Sequence, residues 1–296
     1  MNEMINISGL RLEAPIMNGA GPVKTPDDVR VVATSRSAAV LVGSITLEER
    51  LGNEGDTYYM EPGGRFSMNS KGLPNGGLAY YLKNLPEMVR IAHDNGKPLL
   101  VSIAGFSPDE YKRISSEIAS TGIDGIELNL GCPNVWGVEG KQKGIVGFNM
   151  DATSEILDKQ QLALGSDFWV SMKPPPYSDP SQLVEAAKTF SRFAIVKGVT
   201  ASNTFPNTAY FDQGKAVITP GGGFGGYAGE AIRPIALGQV MQFREALPAR
   251  IGIIGVGGIS QSRHLIDFLR AGASAAQVTT AYINEGPGVF ARLRGI

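Results

Sequence analysis

The chain has 296 residues, 43% of them hydrophobic, with a formal net charge of −1 and a pI near 6.2; without a basic patch, nucleic acid and anionic membrane are not expected partners. Its one cysteine, Cys132, excludes an internal disulfide, an iron–sulfur site and a thiolate zinc site, and no metal centre is expected. The opening residues lack the charged and apolar regions of a signal peptide, and no run of about 18 apolar residues occurs, so a soluble cytoplasmic protein is the expectation.

Residues 5–12 alternate apolar and polar around Ser8-Gly9 and predict a short hairpin. Eight apolar bursts follow, at 15–21, 39–45, 98–105, 125–132, 168–174, 194–204, 251–258 and 276–282. They are nearly continuous in apolar residues, as strands buried on both faces should be. Helical patterns lie between them. Thr25 before Pro26 predicts a capped helix start, and Ser107 before Pro108 predicts another, closing at Thr121-Gly122. Further helices are predicted over 80–92, 151–164, 180–193, 232–247, 260–271 (capped by Ser260) and 287–293. Eight strands alternating with eight helices indicate an α/β fold of the (β/α)8 TIM-barrel type, a single domain over 1–296. A doubly wound sheet is the alternative, but it usually carries its glycine fingerprint after the first strand, and here the densest glycines come late.

Three strand-to-helix connections are long: 46–78, 133–150 and 205–229. All leave the C-terminal ends of strands, the catalytic face of a barrel, and the first is large enough to carry small strands. At the centre stands 126–134, IELNLGCPN, a strand end bearing the lone thiol between Asn129 and Asn134. Cys132 is therefore the candidate base or nucleophile, against the alternative of a small buried hydrophobe. His93 and His264 fall in predicted helices of the outer ring and are expected at the surface or an interface. Lys173 ends the fifth strand, where burial is costly unless it faces an anion or electron-rich ring. Gly257 and Gly258 after strand seven, Thr279 and Thr280 after strand eight, and the cluster 221–226 offer backbone N–H groups of the kind that bind phosphate.

Taken together, 44–50 with Gly52-Asn53, 69–75 (NSKGLPN), 128–134 (LNLGCPN), Lys173 with Pro175-Pro176-Tyr177, Asn203-Thr204, 223–226 (GFGG) and 255–259 (GVGGI) resemble the dihydroorotate dehydrogenases, particularly class 1A, over essentially the whole chain. The resemblance implies FMN, with its phosphate near Gly226, Gly257, Gly258, Thr279 and Thr280. Its ring would lie over Ala20 and Gly21, with Ser44, Asn129 and Lys173 at the edge. Substrate would be held by Asn69, Asn129, Asn134, Asn203 and Thr204, with backbone groups around Gly72 and Leu73 meeting its carboxylate. Cys132 would take the C5 proton of dihydroorotate while hydride passes from C6 to flavin N5. The loop 133–150 would be a lid, fumarate the electron acceptor and the assembly a homodimer.

Besides a lid longer than in class 1A and Lys71 in place of an uncharged residue, two positions depart from that pattern. Gly43 stands where the family has a lysine, and Thr57 stands where it has an arginine. Lys71 and Lys24 are the candidates to restore the lost charge. Two alternatives therefore stay open: an FMN oxidoreductase acting on another dihydropyrimidine or enone, and a non-catalytic flavin-binding protein.

Overall fold

The computed structural model describes residues 4–132, 134–135 and 142–295. The chain begins with the hairpin β1 (Ile5–Ile7) and β2 (Leu10–Leu12), then runs through β3 (Ile16–Asn18), β4 (Val40–Ile45), β5 (Tyr58–Met60), β6 (Phe66–Asn69), β7 (Leu99–Ile103) and β8 (Gly125–Asn129). It continues through β9 (Val170–Lys173), β10 (Val196–Ala201), β11 (Phe205–Thr208), β12 (Phe211–Asp212), β13 (Lys215–Ala216), β14 (Gly225–Gly229), β15 (Gly252–Val256) and β16 (Ala275–Val278). The helices are α1 (Pro26–Ala33), α2 (Gly77–Asp94), α3 (Pro108–Ala119), α4 (Met150–Leu164), α5 (Pro180–Ser191), α6 (Arg233–Ala246), α7 (Ser262–Arg270), α8 (Thr280–Glu285) and α9 (Gly288–Arg294).

Eight parallel strands form one sheet in the order β3-β16-β15-β10-β9-β8-β7-β4. With helices outside, this is the expected TIM barrel. Between the first and last strands of that order, a side chain does the joining. The Asn18 amide donates to Leu41 O at 2.7 Å, and its carbonyl accepts the Leu41 N–H at 3.0 Å. One amide thus imitates a rung of backbone ladder and closes the seam between β3 and β4.

Strand alternation sorts the interior. Ile126, Leu128, Val170, Met172, Val199, Ala276 and Val278 pack in the large cluster shared with the helices. The residues between them point into the barrel. At the lower end these are apolar: Met17, Leu41, Leu100, Trp169, Ile254 and Ala275 pack with Ile7, Leu10 and Leu12 of the hairpin, which plugs that mouth. Trp169 Nε1 donates to Ile7 O at 2.8 Å and so satisfies the indole within the plug. Above this floor the inward residues turn polar: Ser102, Glu127, Ser171, Thr200 and Gln277 are all buried.

The predicted caps at Thr25 and Ser107 form. Thr25 and Asp28 make a reciprocal capping box, and Ser107 Oγ accepts the Glu110 N–H. Two expectations need correction. Ser260 does not cap α7, whose N-cap is Gln261; its hydroxyl instead donates to Glu230 Oε2 at 2.6 Å. The last predicted strand stops at Val278, and Thr280 already begins α8.

The connections 46–78 and 205–229 meet above the barrel. β5 and β6 from the first pair with β11 and β14 from the second in an antiparallel sheet ordered β11-β14-β6-β5. Strands were expected in the first insertion only. Part of the third, the predicted lid 133–150, lies outside the described residues at 133 and 136–141. Its described end turns through Val146–Phe148 into α4, with the Tyr177 hydroxyl donating to Gly147 O. Among the described residues no helix is long and apolar enough to cross a membrane.

Candidate active site

Between barrel and roof lies a cavity of about 230 Å³. Its walls come from the C-terminal ends of strands and the loops beyond them, so side chains distant in sequence converge there. Ala20 and Gly21 follow β3, Ser44 sits on β4, Asn129 and Cys132 end β8, Lys173 ends β9, and Asn203 and Thr204 follow β10. Asn69, Lys71, Gly72 and Leu73 enter from the roof insertion, with Asn134 beside them. Gly257, Gly258, Thr279 and Thr280 line the opposite end.

Gly226 is the exception among the expected cofactor residues. It pairs with Asn69 in the roof sheet, and a Cβ there would collide with Thr204 Oγ1. It is not among the cavity's lining residues; Gly229, three residues further on, is. The glycine end of the cavity is thus built by Gly229, Gly257 and Gly258, and the residues 221–226 serve turn and sheet instead.

The thiol of Cys132 is partly exposed. Burial pushes its pKa above the ordinary thiol value; the Asn134 N–H bonded to it and the Arg50 charge oppose that rise. Cys132 also borders a second cavity of about 200 Å³, with Tyr111, Phe106 and Lys143 on its walls. The sulfur therefore lies between two spaces.

Two amide networks hold the polar wall. In the first, Ser44 Oγ is 2.8 Å from Ser102 Oγ and accepts from Asn129 Nδ2 at 2.9 Å. Asn129 Oδ1 accepts from Asn203 Nδ2 at 2.9 Å, and the Tyr111 hydroxyl donates to the Asn129 carbonyl. In the second, Asn134 Nδ2 donates to Asn69 Oδ1 at 3.0 Å, while Asn53 Nδ2 donates to the Asn134 carbonyl. Asn134 Oδ1 is buried without a hydrogen-bond partner, an acceptor left for a ligand N–H.

Lys173 is buried and, as the cost argument required of a buried lysine, it is paired. Its ammonium lies 3.4 Å from Glu127 Oε1 and donates to Gln277 Oε1 at 3.1 Å. Glu127 Oε2 accepts from Gln277 Nε2 at 2.7 Å and from Thr200 Oγ1 at 3.0 Å. Glu127 and Gln277 escaped the sequence reading. The clue was present: a glutamate inside an otherwise apolar burst must find a partner or stay neutral.

Gly43 adopts φ +107°, and a Cβ there would collide with the Ser102 carbonyl oxygen. This backbone cannot carry the lysine that the resemblance expects. Thr57 is outside the cavity lining, and its carbonyl accepts the Ser70 N–H. Of the histidines, His93 is half exposed and contacts Asp124 at 2.8 Å. His264 corrects the surface expectation: it is fully buried in α7, and burial lowers its pKa, followed by the neighbouring Arg233 charge. Neither lines the cavity. Among the described residues no group of three or more His, Cys, Asp or Glu side chains could hold a metal.

The residues fit a flat phosphorylated cofactor on three grounds. Gly21 presents no side chain, and a Cβ built on it meets nothing within 4 Å. The buried Lys173 brings a positive charge to the strand-end wall. The glycine end, at Gly257 and Gly258, allows backbone N–H groups to approach an anion.

Comparison with known proteins agrees with the geometry. The family described as dihydroorotate dehydrogenase matches residues 4–295. A dihydroorotate dehydrogenase (fumarate) of Trypanosoma brucei brucei is 37% identical over 300 residues, covering 99% of this chain and 91% of the relative. A putative dihydroorotate dehydrogenase A (fumarate) of Streptococcus agalactiae is 34% identical, covering 97% and 89%. A crystal structure of DHODH from Eimeria tenella in complex with ferulenol superposes with a TM-score of 0.83 at 21% identity, covering 99% of this chain and 82% of that one, a likeness of fold. The chain belongs to the dihydroorotate dehydrogenase family.

Proposed function

We propose that this chain oxidises dihydroorotate to orotate with FMN as cofactor and fumarate as electron acceptor. The observation that carries the reading is the placement of Cys132, Asn134 with its unpartnered Oδ1, and the buried Lys173 on one cavity, in a chain whose relatives bear that activity in their names.

FMN, when bound, supplies a two-electron acceptor for the substrate's hydride. Ala20 and Gly21 would floor its ring; Gly257, Gly258, Thr279 and Thr280 would hold its phosphate. Lys173 would place positive charge beside the ring, kept in position by Glu127 and Gln277. Asn69, Asn129, Asn134, Asn203 and Thr204 would orient the substrate through hydrogen bonds to its ring amides. Cys132 would accept the C5 proton as thiolate. The resemblance further implies a homodimer in the cytoplasm, which light scattering on the purified protein tests for assembly.

Anaerobic mixing with dihydroorotate is the direct experiment. Purified protein should be yellow, bleach on adding dihydroorotate and regain colour with fumarate. A flavin that stays oxidised under dihydroorotate, yet bleaches with another reduced pyrimidine, would replace the substrate and keep the enzyme. Protein that cannot be loaded with FMN would end the reading altogether.

A further inference from the structure

Besides Lys173, two further lysines line the cavity, and each arrives from a different loop. Lys24 follows β3 and is half-buried. Its loop is docked by Gly43: the Gly43 N–H donates to Val23 O at 3.0 Å, and the Gly43 carbonyl accepts the Gly21 N–H at 2.6 Å. These two backbone bonds fix the loop that carries Lys24 to the cavity wall. Lys71 follows β6, with its ammonium 4.6 Å from the centre of the Tyr58 ring.

Neither lysine forms an ion pair among the described residues. The Lys24 ammonium donates to the Pro74 carbonyl. Asp28 acts on it at a distance, and the Asp28 carboxylate is already taken by the backbone N–H groups of Lys24 and Thr25. Desolvation and the charge of Lys71 pull Lys24 down to about 8; desolvation also lowers Lys71. Lys24 is half-buried and Lys71 exposed at the cavity's edge; two like charges held near one another repel unless an anion joins them.

The space they border also receives the backbone of Gly72 and Leu73. Both have positive φ, at 73° and 60°, and the Gly72 carbonyl is held by Arg50 Nε at 2.9 Å. The strained turn is fixed from behind, so its cavity side keeps one shape.

We propose that Lys24 and Lys71 together form a two-cation clamp for the carboxylate of the substrate, and so set this chain's preference for an acidic over a neutral pyrimidine. The clamp rests on the dihydroorotate reading above. Lys24 approaches from the β3 side and Lys71 from the roof, so the carboxylate is held from two directions. The lysine that Gly43 cannot carry is thereby replaced through the loop that Gly43 docks.

The test is equilibrium binding of orotate and of uracil, its neutral counterpart, to FMN-loaded wild-type, Lys24→Met, Lys71→Met and the double variant, followed by calorimetry. Each single substitution should weaken orotate about ten-fold or more, as expected for a charge-assisted hydrogen bond. The double variant should lose more than either, and uracil should bind all four alike. Lys24→Arg and Lys71→Arg should retain most of the orotate affinity, which separates lost charge from a misfolded loop. Wild-type affinity for orotate in both methionine variants would overturn the clamp and leave the dehydrogenase reading standing. Equal losses for uracil and orotate would also overturn it, by making the lysines structural. A wild-type protein that binds no orotate would bring down both.

Discussion

Substituting Lys173 by methionine isolates the polar layer beneath the site. Glu127 and Lys173 have side chains only 2% and 8% exposed, with 3.4 Å between their charges. At an effective dielectric near 20 the attraction is about 5 kcal/mol. Methionine removes that attraction but also removes the cost of burying an ammonium, which is several kcal/mol. What decides the balance is the carboxylate left behind. Glu127 Oε2 keeps Gln277 and Thr200, whereas Oε1 has no hydrogen-bond partner besides the ion pair. A net loss of about 3 kcal/mol is expected, at the lower end for a broken buried pair. For a chain of this size that lowers Tm by roughly 5 °C. Urea and thermal unfolding should be compared on FMN-stripped proteins, so that cofactor affinity does not enter. Adding Glu127→Gln to the methionine variant should recover most of the loss, because the buried charge is gone. A single variant within about 0.5 kcal/mol of wild type would refute the reasoning, since surface substitutions cost that little. So would a double variant no more stable than the single one.

Cys132→Ala should lower kcat by about 10² to 10⁴ while FMN content and orotate affinity persist; stopped-flow bleaching by dihydroorotate reads the step directly. The pH profile should split. Because the Cys132 pKa is raised, kcat should climb with pH as the thiolate forms. Lys24 keeps its charge below about 8 and loses it above, so KM should rise on the alkaline side, and Lys24→Met should abolish that rise. Gly43→Lys should not restore a family-like site: its Cβ meets the Ser102 carbonyl, and FMN loading and Tm should both fall.

Strand positions were readable because all eight carry apolar residues on the face toward the helices. That same burial concealed the inward face. Glu127 and Gln277 sit among apolar neighbours, and only the closed barrel brings them within 2.7 Å of each other. The place of Cys132 on the cavity wall was legible, since it stands just past the end of an apolar burst beside two asparagines. Gly226 misled because a glycine run reads as one feature, whereas sheet register divides it: Gly226 falls opposite Asn69, and Gly229 opposite Phe66 at the strand's end. Ser260 has a capping residue's chemistry but lies two positions ahead of α7, where Glu230 and His264 engage it. Thr25 and Ser107 succeeded because local spacing alone determines a cap.

The seam between β3 and β4 has a bearing on how the cofactor and the fold depend on each other. Asn18 stitches it, and the residues next in line, Ala20 and Gly21, are the proposed floor beneath the flavin ring. Ser44, at the far side of the stitch, belongs to the same wall. The last joint that turns a curved sheet into a barrel is therefore also part of the surface on which the ring would rest. A ligand spanning Gly21 and Ser44 clasps the joint from above. Loading the proposed cofactor would then lock the barrel shut, and a chain emptied of it should unzip first between β3 and β4.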